Sequence, residues 1–580
     1  MSVFGSSVCP NLTTLNCAAE EGGRESEHYM HGVVADTILI GARVITMDPR
    51  RPEASAVAIR AGRILAVGDA ADLADYRGAR TVVQDLAGAS VTPGLIDAHM
   101  HPIQGIELAV GLDFGGVREP GTFLRMLADE TARVADGTAG GWVRGWNVDY
   151  DLFSTLPMTA AAIDAATAGA PAFLMFFDGH TALANTEALR RSGITGARRF
   201  GDTSEIVVDE AGRPTGCLRE DSAFDIVLRT APEYTRAETL DRVRGILGGL
   251  AASGITGGCI MDGNPATLDL LDELDGSASA DHEAPSGLPV RIVSAMAHNP
   301  GYDEERTRHH LAQRDRRGKR WRGGLVKLFA DGVIDTGTGW LYEPDTHGDG
   351  GTSFWADADE FERVVHRYAA AGFQIATHAI GDRAIGETID AYLAAGVHSN
   401  GTAPHRIEHL ELLADRDLRR MAHAGITASV QPLHMQWRKA DGSDFWAERL
   451  GPERAALGWR VRDMIDAGAP VALGSDWPVA QTDARIGLAW ARLRREPGNR
   501  DAPVFEPDQV LTPYEALQGY TVWAAEAQGD RDLGVIAPGY RADLVVWADS
   551  PLDVGADELL HLPVLTTIVD GQPVFAASAA

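Results

Sequence analysis

Two histidines stand one residue apart at the end of an apolar run, in Gly94-Leu95-Ile96-Asp97-Ala98-His99-Met100-His101. In an extended backbone, residues i and i+2 point to the same face, so both imidazoles can reach one point in space. A metal ion is the natural occupant of that point. A lone His-x-His is more often a hydrogen-bonded pair at a strand end, so the test is whether ligand-type residues recur at comparable places. They do recur. Lys327 lies in Leu325-Val326-Lys327-Leu328, His378 ends Gln374-Ile375-Ala376-Thr377-His378, His409 ends Arg406-Ile407-Glu408-His409, and Asp476 follows Leu473-Gly474-Ser475. Each alone has a plainer explanation: a satisfied core histidine, a capping aspartate, one half of a buried ion pair. Six such residues at the C-terminal ends of short apolar runs are harder to attribute to coincidence than to one site.

Hydrolysis of an unactivated amide needs a better nucleophile than water and a sink for the oxyanion. A divalent metal supplies both, lowering the pKa of bound water toward about 7 and polarising the carbonyl. Histidine nitrogen with carboxylate oxygen is a donor set that zinc favours and that manganese, iron or cobalt tolerate. The chain contains three lysines, Lys319, Lys327 and Lys439, the other basic residues being arginine. A lysine inside an apolar strand therefore requires a reason.

The elements that must position these residues follow from the apolar periodicity. Gly94 to Ala98, Ile255 to Ile260, Val290 to Met296, Leu325 to Ala330, Phe373 to Thr377, His405 to Glu408, Ile426 to Val430 and Val471 to Gly474 read as strands. Most are separated by amphipathic stretches such as Phe361 to Ala371 and Arg383 to Ala395. Eight strands alternating with helices predict an α/β fold, a (β/α)8 TIM barrel over 92–529 with its chemistry at the C-terminal strand ends. The stretch 103–250 is too long for one connection and must hold an inserted subdomain, to which Pro171 to Asp178 is assigned as a further strand. Short β-rich runs between Asp36 and Val91 are too few to close a core. Ala542 to Trp547 and Leu565 to Val569 can supply the missing strands. Ala61-Gly62 and Asp570-Gly571 have the form of two-residue hairpin turns. Residues 34–91 with 530–577 are expected to form one small β-sandwich domain, and 1–33 a flexible leader in which Met1 or Met30 starts translation.

At 580 residues the chain exceeds a single core. Its formal net charge of −30 argues against nucleic acid or an anionic membrane as partner. Cys9, Cys17, Cys217 and Cys259 are scattered without Cys-x-x-Cys spacing, which fits a reducing, cytoplasmic setting. No apolar run reaches the roughly 18 residues of a membrane span, and the first 29 residues make a poor secretory signal. The catalytic loops carry no Arg-Lys cluster, which argues against a multiply phosphorylated substrate.

The order His-x-His, Lys, His, His, Asp resembles the amidohydrolase superfamily. The segments Thr377-His378-Ala379-Ile380-Gly381-Asp382-Arg383-Ala384, Lys327-Leu328-Phe329-Ala330-Asp331-Gly332 and Asp178-Gly179-His180-Thr181-Ala182-Leu183-Ala184-Asn185 resemble its YtcJ-like branch, the amidohydrolase 3 family, which includes N-substituted formamide deformylase. Gly534 to Leu544 is also typical of the superfamily, and the resemblance runs from roughly Val34 to Phe575. It implies that His99, His101 and Asp476 hold one ion and His378 and His409 a second. In such relatives the strand-four lysine is often carboxylated, so Lys327 would be an N6-carboxylysine bridging two ions. An unmodified Lys327 would favour one ion and could turn its ammonium to the substrate. Asp476 would also shuttle the proton from the attacking water to the leaving nitrogen. His180, in the insertion, would face the substrate carbonyl, with a surface hydrogen bond as the even alternative. Trp146, Trp340, Trp437 and His434 are candidate substrate walls, with ordinary packing the alternative for the tryptophans. A homodimer is the assembly that the resemblance suggests.

The expected activity is therefore metal-dependent hydrolysis of a non-peptide C–N bond in a small molecule: an amide, N-formyl or N-acyl group. Deamination or ester hydrolysis on the same centre is the alternative. The glutamate that superfamily deaminases usually carry after the fifth-strand histidine is replaced here by Ala379-Ile380-Gly381-Asp382, which lowers deamination. A catalytically silent regulator on the same barrel is the third reading. Fold alone does not decide against it, but an intact ligand set speaks against it.

Overall fold

The structure, a computed structural model, describes residues 33–135, 141–177, 179, 181–200, 204–232, 234–276, 287–398 and 403–578. Its centre is an eight-stranded sheet of Leu95–Met100, Ile255–Ile260, Arg291–Ala297, Trp321–Phe329, Gln374–Ala379, Arg406–His409, Thr427–Val430 and Val471–Leu473, paired in that order. Every neighbouring pair is parallel. The last strand comes back to the first. Asp476 N donates to His99 O, and His101 N donates to Trp477 O, both at 2.7 Å. These bonds join the two sheet edges at the C-terminal rim, where the candidate ligands stand.

The strands are buried on both faces, as parallel strands covered by helices must be, and their sequences are near-continuous apolar runs. The helix Ala358–Ala370 illustrates the cover. Asp357 caps Asp359 N, and Phe361, Val365, Tyr368 and Ala369 present one apolar face at helical spacing. The fourth strand begins at Trp321 rather than at the expected Leu325. Gly323-Gly324 reads as a break, but pairing of Trp321 and Arg322 with Ile292 and Val293 carries the strand through it. Tertiary hydrogen bonding overrides local propensity there.

Within 103–250 lies a separate six-stranded sheet: Glu205–Val208, Pro214–Arg219, Thr181–Ala184, Ala172–Phe176, Val143–Val148 and Leu112–Asp113. Phe173 and Met175 belong to one apolar cluster, while Leu174 and Phe176 belong to another on the opposite face. That is the period-two signature of a strand buried on both sides. This layer touches the barrel mouth through aromatic rings. Phe177 stacks on Trp437 at 4.8 Å and 16°, and Trp146 meets Trp477 edge-on at 6.4 Å. Lys439 Nζ adds an ion pair to Asp151 at 3.4 Å.

Both chain ends enter one further sheet, ordered Gln572–Ala576, Val564–Val569, Leu544–Trp547, Ser90–Pro93, Arg43–Ile45 and Glu53–Ala54. A four-stranded sheet of Arg63–Gly68, Ala56–Arg60, Thr37–Ile40 and Val82–Asp85 accompanies it. Leu39 and Val57 of the smaller sheet share an apolar cluster with Val44, Val91, Val546 and Ile568 of the larger. Ala61 and Gly62 have φ of 47° and 75°, and Asp570 and Gly571 have 54° and 70°. Both hairpin turns thus take the doubly left-handed form that matches strand twist. Among the described residues no helix is long and apolar enough to cross a membrane.

Candidate metal centre

Leu95–Met100 is buried throughout, and its pleat carries the His99 and His101 rings to the same face, with their Nε2 atoms 3.2 Å apart. Asp476 arrives from the loop after the eighth strand. Its Oδ1 lies 3.3 Å from His99 Nε2 and 3.0 Å from His101 Nε2, yet makes no aligned hydrogen bond. The three atoms stand close enough together for one ion to take all of them. Gly474 makes this approach possible, because a Cβ there would lie 2.7 Å from His99 N and 3.0 Å from Asp97 Oδ1. Asp97 closes the joint from behind, accepting from the backbone N–H of His99 and of Ser475, both at 3.0 Å. Burial raises its carboxyl to about 6 against those donors. His409 and Asp476 both hold left-handed backbone, with φ of 76° and 60°. Such conformations cost about 1–3 kcal/mol each for non-glycine residues and gather at functional sites.

A buried chain of charges orients His99. Its Nδ1 donates to Glu408 Oε2 at 2.6 Å, which turns the Nε2 lone pair toward His101 and Asp476. Arg406 Nε and Nη2 hold Glu408 at 2.6 and 3.1 Å, and Nη2 also donates to Ala98 O and Ser429 Oγ. Neither Arg406 nor Glu408 has an exposed side chain. Burial would raise the Glu408 carboxyl, but Arg406 and His99 beside it outweigh burial and hold it below the usual carboxylate range. Burial, then the nearby Lys327, lowers His99; burial, then His378, carries His409 far down. Both are neutral imidazoles, the form that binds metal.

Asp476 reaches a second group with its other oxygen. Oδ2 lies 3.8 Å from His409 Nδ1 and 3.5 Å from His434 Nε2, and the two rings stack at 5.8 Å and 14°. His378 packs its ring 4.5 Å from that of His409, and its Nε2 donates to Gly332 O at 3.0 Å. Lys327 Nζ is fully buried, has no hydrogen-bond partner among the described residues, and stands 5.1 Å from the Phe329 ring. Burial lowers it to about 8 against the pull of Glu408 and Asp476.

The structure thus brings His99, His101, His409 and Asp476 together, with Lys327 and His378 alongside. It adds His434, which sequence reading placed at the substrate. Trp437 follows His434 on the short turn Pro432–Trp437, 5.2 Å from its ring, and Trp146 stands over Trp477. Trp340 is buried in the barrel core with Arg383 across its ring at 4.8 Å. His180 lies outside the described residues.

Sequence reading missed the supporting carboxylates. Besides Glu408 these are Glu411, whose Oε1 lies 3.6 Å from His434 Nδ1, and Asp331. Asp331 accepts from the N–H groups of Trp340, Ile380 and Gly381 at 2.9, 3.0 and 2.8 Å, tying the loops after the fourth and fifth strands together. Burial raises it to about 7. The legible signal was Arg406 and Glu408 two residues apart in a barrel strand, since same-face charges buried in a core must be paired.

The residues present fit a divalent cation. His101 Nδ1, His409 Nδ1, His434 Nε2 and Asp476 Oδ1 are buried without hydrogen-bond partners among the described residues. Orphaned buried polar atoms are costly, about 1–3 kcal/mol each, and need a partner. Donor atoms of His99, His101 and Asp476, and of His409, His434 and Asp476, lie within 4.8 Å of one another in each set. Ligands about 2.1 Å from a tetrahedral ion stand about 3.4 Å apart, a spacing that falls between the 3.0 and 3.3 Å from Asp476 Oδ1 to the first pair of histidines and the 3.5 and 3.8 Å from its Oδ2 to the second.

The sequence profile of the Amidohydrolase family matches residues 82–575. The chain is similar to LONG AFTER FAR-RED 3 of Arabidopsis thaliana, 31% identical over 94% of this chain and 92% of that protein. It is also similar to the N-substituted formamide deformylase of Arthrobacter pascens, 29% identical over 92% of this chain and 97% of that enzyme. In fold it is similar to an uncharacterised metal-dependent hydrolase from Pyrococcus horikoshii OT3, with a TM-score of 0.69 at 23% identity, covering 90% of this chain and 99% of that one. With a profile that spans most of its length and a strand-end donor set of the matching type, the chain belongs to the amidohydrolase family.

Proposed function

We propose that this hydrolase of non-peptide C–N bonds cleaves N-formyl or N-acyl amines, at a centre held by His99, His101 and Asp476 and by Lys327, His378 and His409. The observation that carries this reading is the pair of buried donor sets sharing Asp476, in which Asp476 Oδ1, His409 Nδ1 and His434 Nε2 have no hydrogen-bond partner among the described residues. The relative named N-substituted formamide deformylase supports the N-formyl class. A bound divalent ion, zinc by its donor set, would acidify a water and polarise the scissile carbonyl.

The chain's own groups do the rest. Asp476 is held far below the usual carboxylate range because surrounding histidines outweigh the opposing effect of burial, so it is ionised. It takes the proton of the attacking water and delivers it to the leaving nitrogen, without which an amide anion would have to depart. Glu408 keeps the His99 Nε2 lone pair directed inward. Lys327, fully buried and lowered to about 8, has a neutral fraction whose Nζ can bond to the carbon of CO2 with loss of one N–H proton, giving an anionic carbamate suited to two cations. Trp146 and Trp437, with His180, flank the substrate, and Trp340 supports the loop behind them. In this reading the insertion 103–250 caps the barrel 92–529. The buried free thiol of Cys259 suits a cytoplasmic setting.

The test is metal analysis of the purified chain with a screen of N-formyl and N-acyl amines. At least one ion per chain and turnover that a chelator abolishes and zinc, manganese or cobalt restores are expected. Metal-free protein with no activity after reconstitution would overturn the reading.

A further inference from the structure

We infer that His434 is a metal ligand, closing the set of His409 and Asp476, and that Glu411 positions it. This rests on the reading of the site as a metal centre and goes beyond it, since His434 stands after the seventh strand, outside the six strand-end residues already assigned.

Three observations carry the assignment. First, His434 Nε2 is buried, has no hydrogen-bond partner among the described residues, and stops 3.5 Å from Asp476 Oδ2. That is too far for a good hydrogen bond and close to the about 3.4 Å between ligands of one tetrahedral ion. Second, the opposite nitrogen is backed by a carboxylate. Nδ1 lies 3.6 Å from Glu411 Oε1, and Glu411 Oε2 is fixed by the indole N–H of Trp446 at 2.8 Å. Carboxylate behind one ring nitrogen and ligand atom at the other is the usual arrangement of metal-bound histidine, and Glu411 at 3.6 Å is a looser counterpart of Glu408, which stands 2.6 Å from His99 Nδ1. Third, the ring cannot swing freely. It stacks on His409, and the turn Pro432–Trp437 places Trp437 5.2 Å from it. A substrate-facing histidine needs an exposed donor, whereas this ring is 6% exposed and aims its free nitrogen at a ligand.

The experiment compares zinc stoichiometry and affinity, by elemental analysis and chelator competition, and the visible spectrum of the cobalt-substituted protein. The wild-type chain is set beside His434→Gln, Glu411→Gln and His99→Ala. If the inference holds, His434→Gln weakens one ion by more than about 100-fold and shifts the cobalt spectrum. Glu411→Gln weakens the same ion by about 10- to 100-fold, the range for losing an outer carboxylate, and leaves the number of bound ions unchanged at saturation. If His434→Gln and Glu411→Gln bind metal as the wild type does, with unaltered cobalt spectra, the inference fails, whatever happens to turnover. His99→Ala separates that outcome from failure of the parent reading: loss of metal there with none at His434 leaves the metal centre standing. A wild-type chain that binds no metal overturns both.

Discussion

The two halves of the centre share Asp476 and are built differently. His99 and His101 come from one strand, their separation set by the pleat, and stand 3.0 to 3.3 Å from one another and from Asp476 Oδ1. His409 and His434 come from different barrel segments, and stand 3.8 and 3.5 Å from Asp476 Oδ2. Behind the first half is a wholly buried Arg406–Glu408 pair; behind the second is Glu411, held by one indole N–H. Spacing on a strand makes a compact site without help from loops. A set drawn from separate strand ends depends on what holds those ends, so the second half is expected to be the weaker and more adjustable.

Removing the shared residue should hurt most. Asp476→Ala deletes an oxygen from each half together with the proposed proton carrier, so metal content should fall in both and kcat/KM by at least about 10²–10⁴-fold. Elemental analysis and steady-state kinetics check this. A variant that kept both ions would mean that the halves are independent. Next in size is Glu408→Gln, which strands the Arg406 charge inside the barrel. Breaking a buried pair costs about 3–5 kcal/mol, whereas Glu411→Gln, which keeps an oxygen for the Trp446 indole N–H and loses only a loose contact with His434, should cost no more than about 1 kcal/mol. Urea unfolding of the two variants measures the contrast directly, and equal losses would refute it.

Gly474→Ala probes the first half alone. Its Cβ would press on His99 N at 2.7 Å. Overpacking of this kind costs about 1–3 kcal/mol. The expected result is lowered affinity for the ion at His99 and His101, with the cobalt signature of the His409 and His434 set unchanged. An effect spread evenly over both would show that the eighth strand carries them as one body.

The same contrast governs what could be read from sequence. His99-Met100-His101 was legible because a two-residue period is the period of a strand, and the barrel followed from eight apolar runs. His434 was visible only as a residue near the right rim. It is 25 positions beyond His409, on a short turn whose direction is set by stacking and by Glu411. No local pattern encodes that. Glu408 and Asp331 were hidden for another reason: a carboxylate inside a strand or at its end becomes informative only once its partners are known, and those lie 309 residues away for His99 and 49 and 50 for Ile380 and Gly381. The first four residues of the fourth strand, from Trp321, were missed because sheet pairing carries the strand through Gly323-Gly324.

The smallest expected effect lies where the insertion meets the second half. Phe177 lies flat on Trp437, and Trp437 leans on His434, so the stack links the cap to the more adjustable set of ligands. An aromatic pair contributes about 0.5–1.5 kcal/mol beyond its buried area. Phe177→Leu keeps most of the apolar area and removes the stacking, so it should raise KM by no more than about 10-fold, the equivalent of about 1.4 kcal/mol, with kcat and metal content close to wild type. Trp437→Leu removes the same stack and also the ring beside His434. If the second half depends on its loops, Trp437→Leu should additionally weaken one ion while Phe177→Leu does not. Identical metal affinity in the two variants would confine the stack to holding the cap and leave Glu411 as the support of His434.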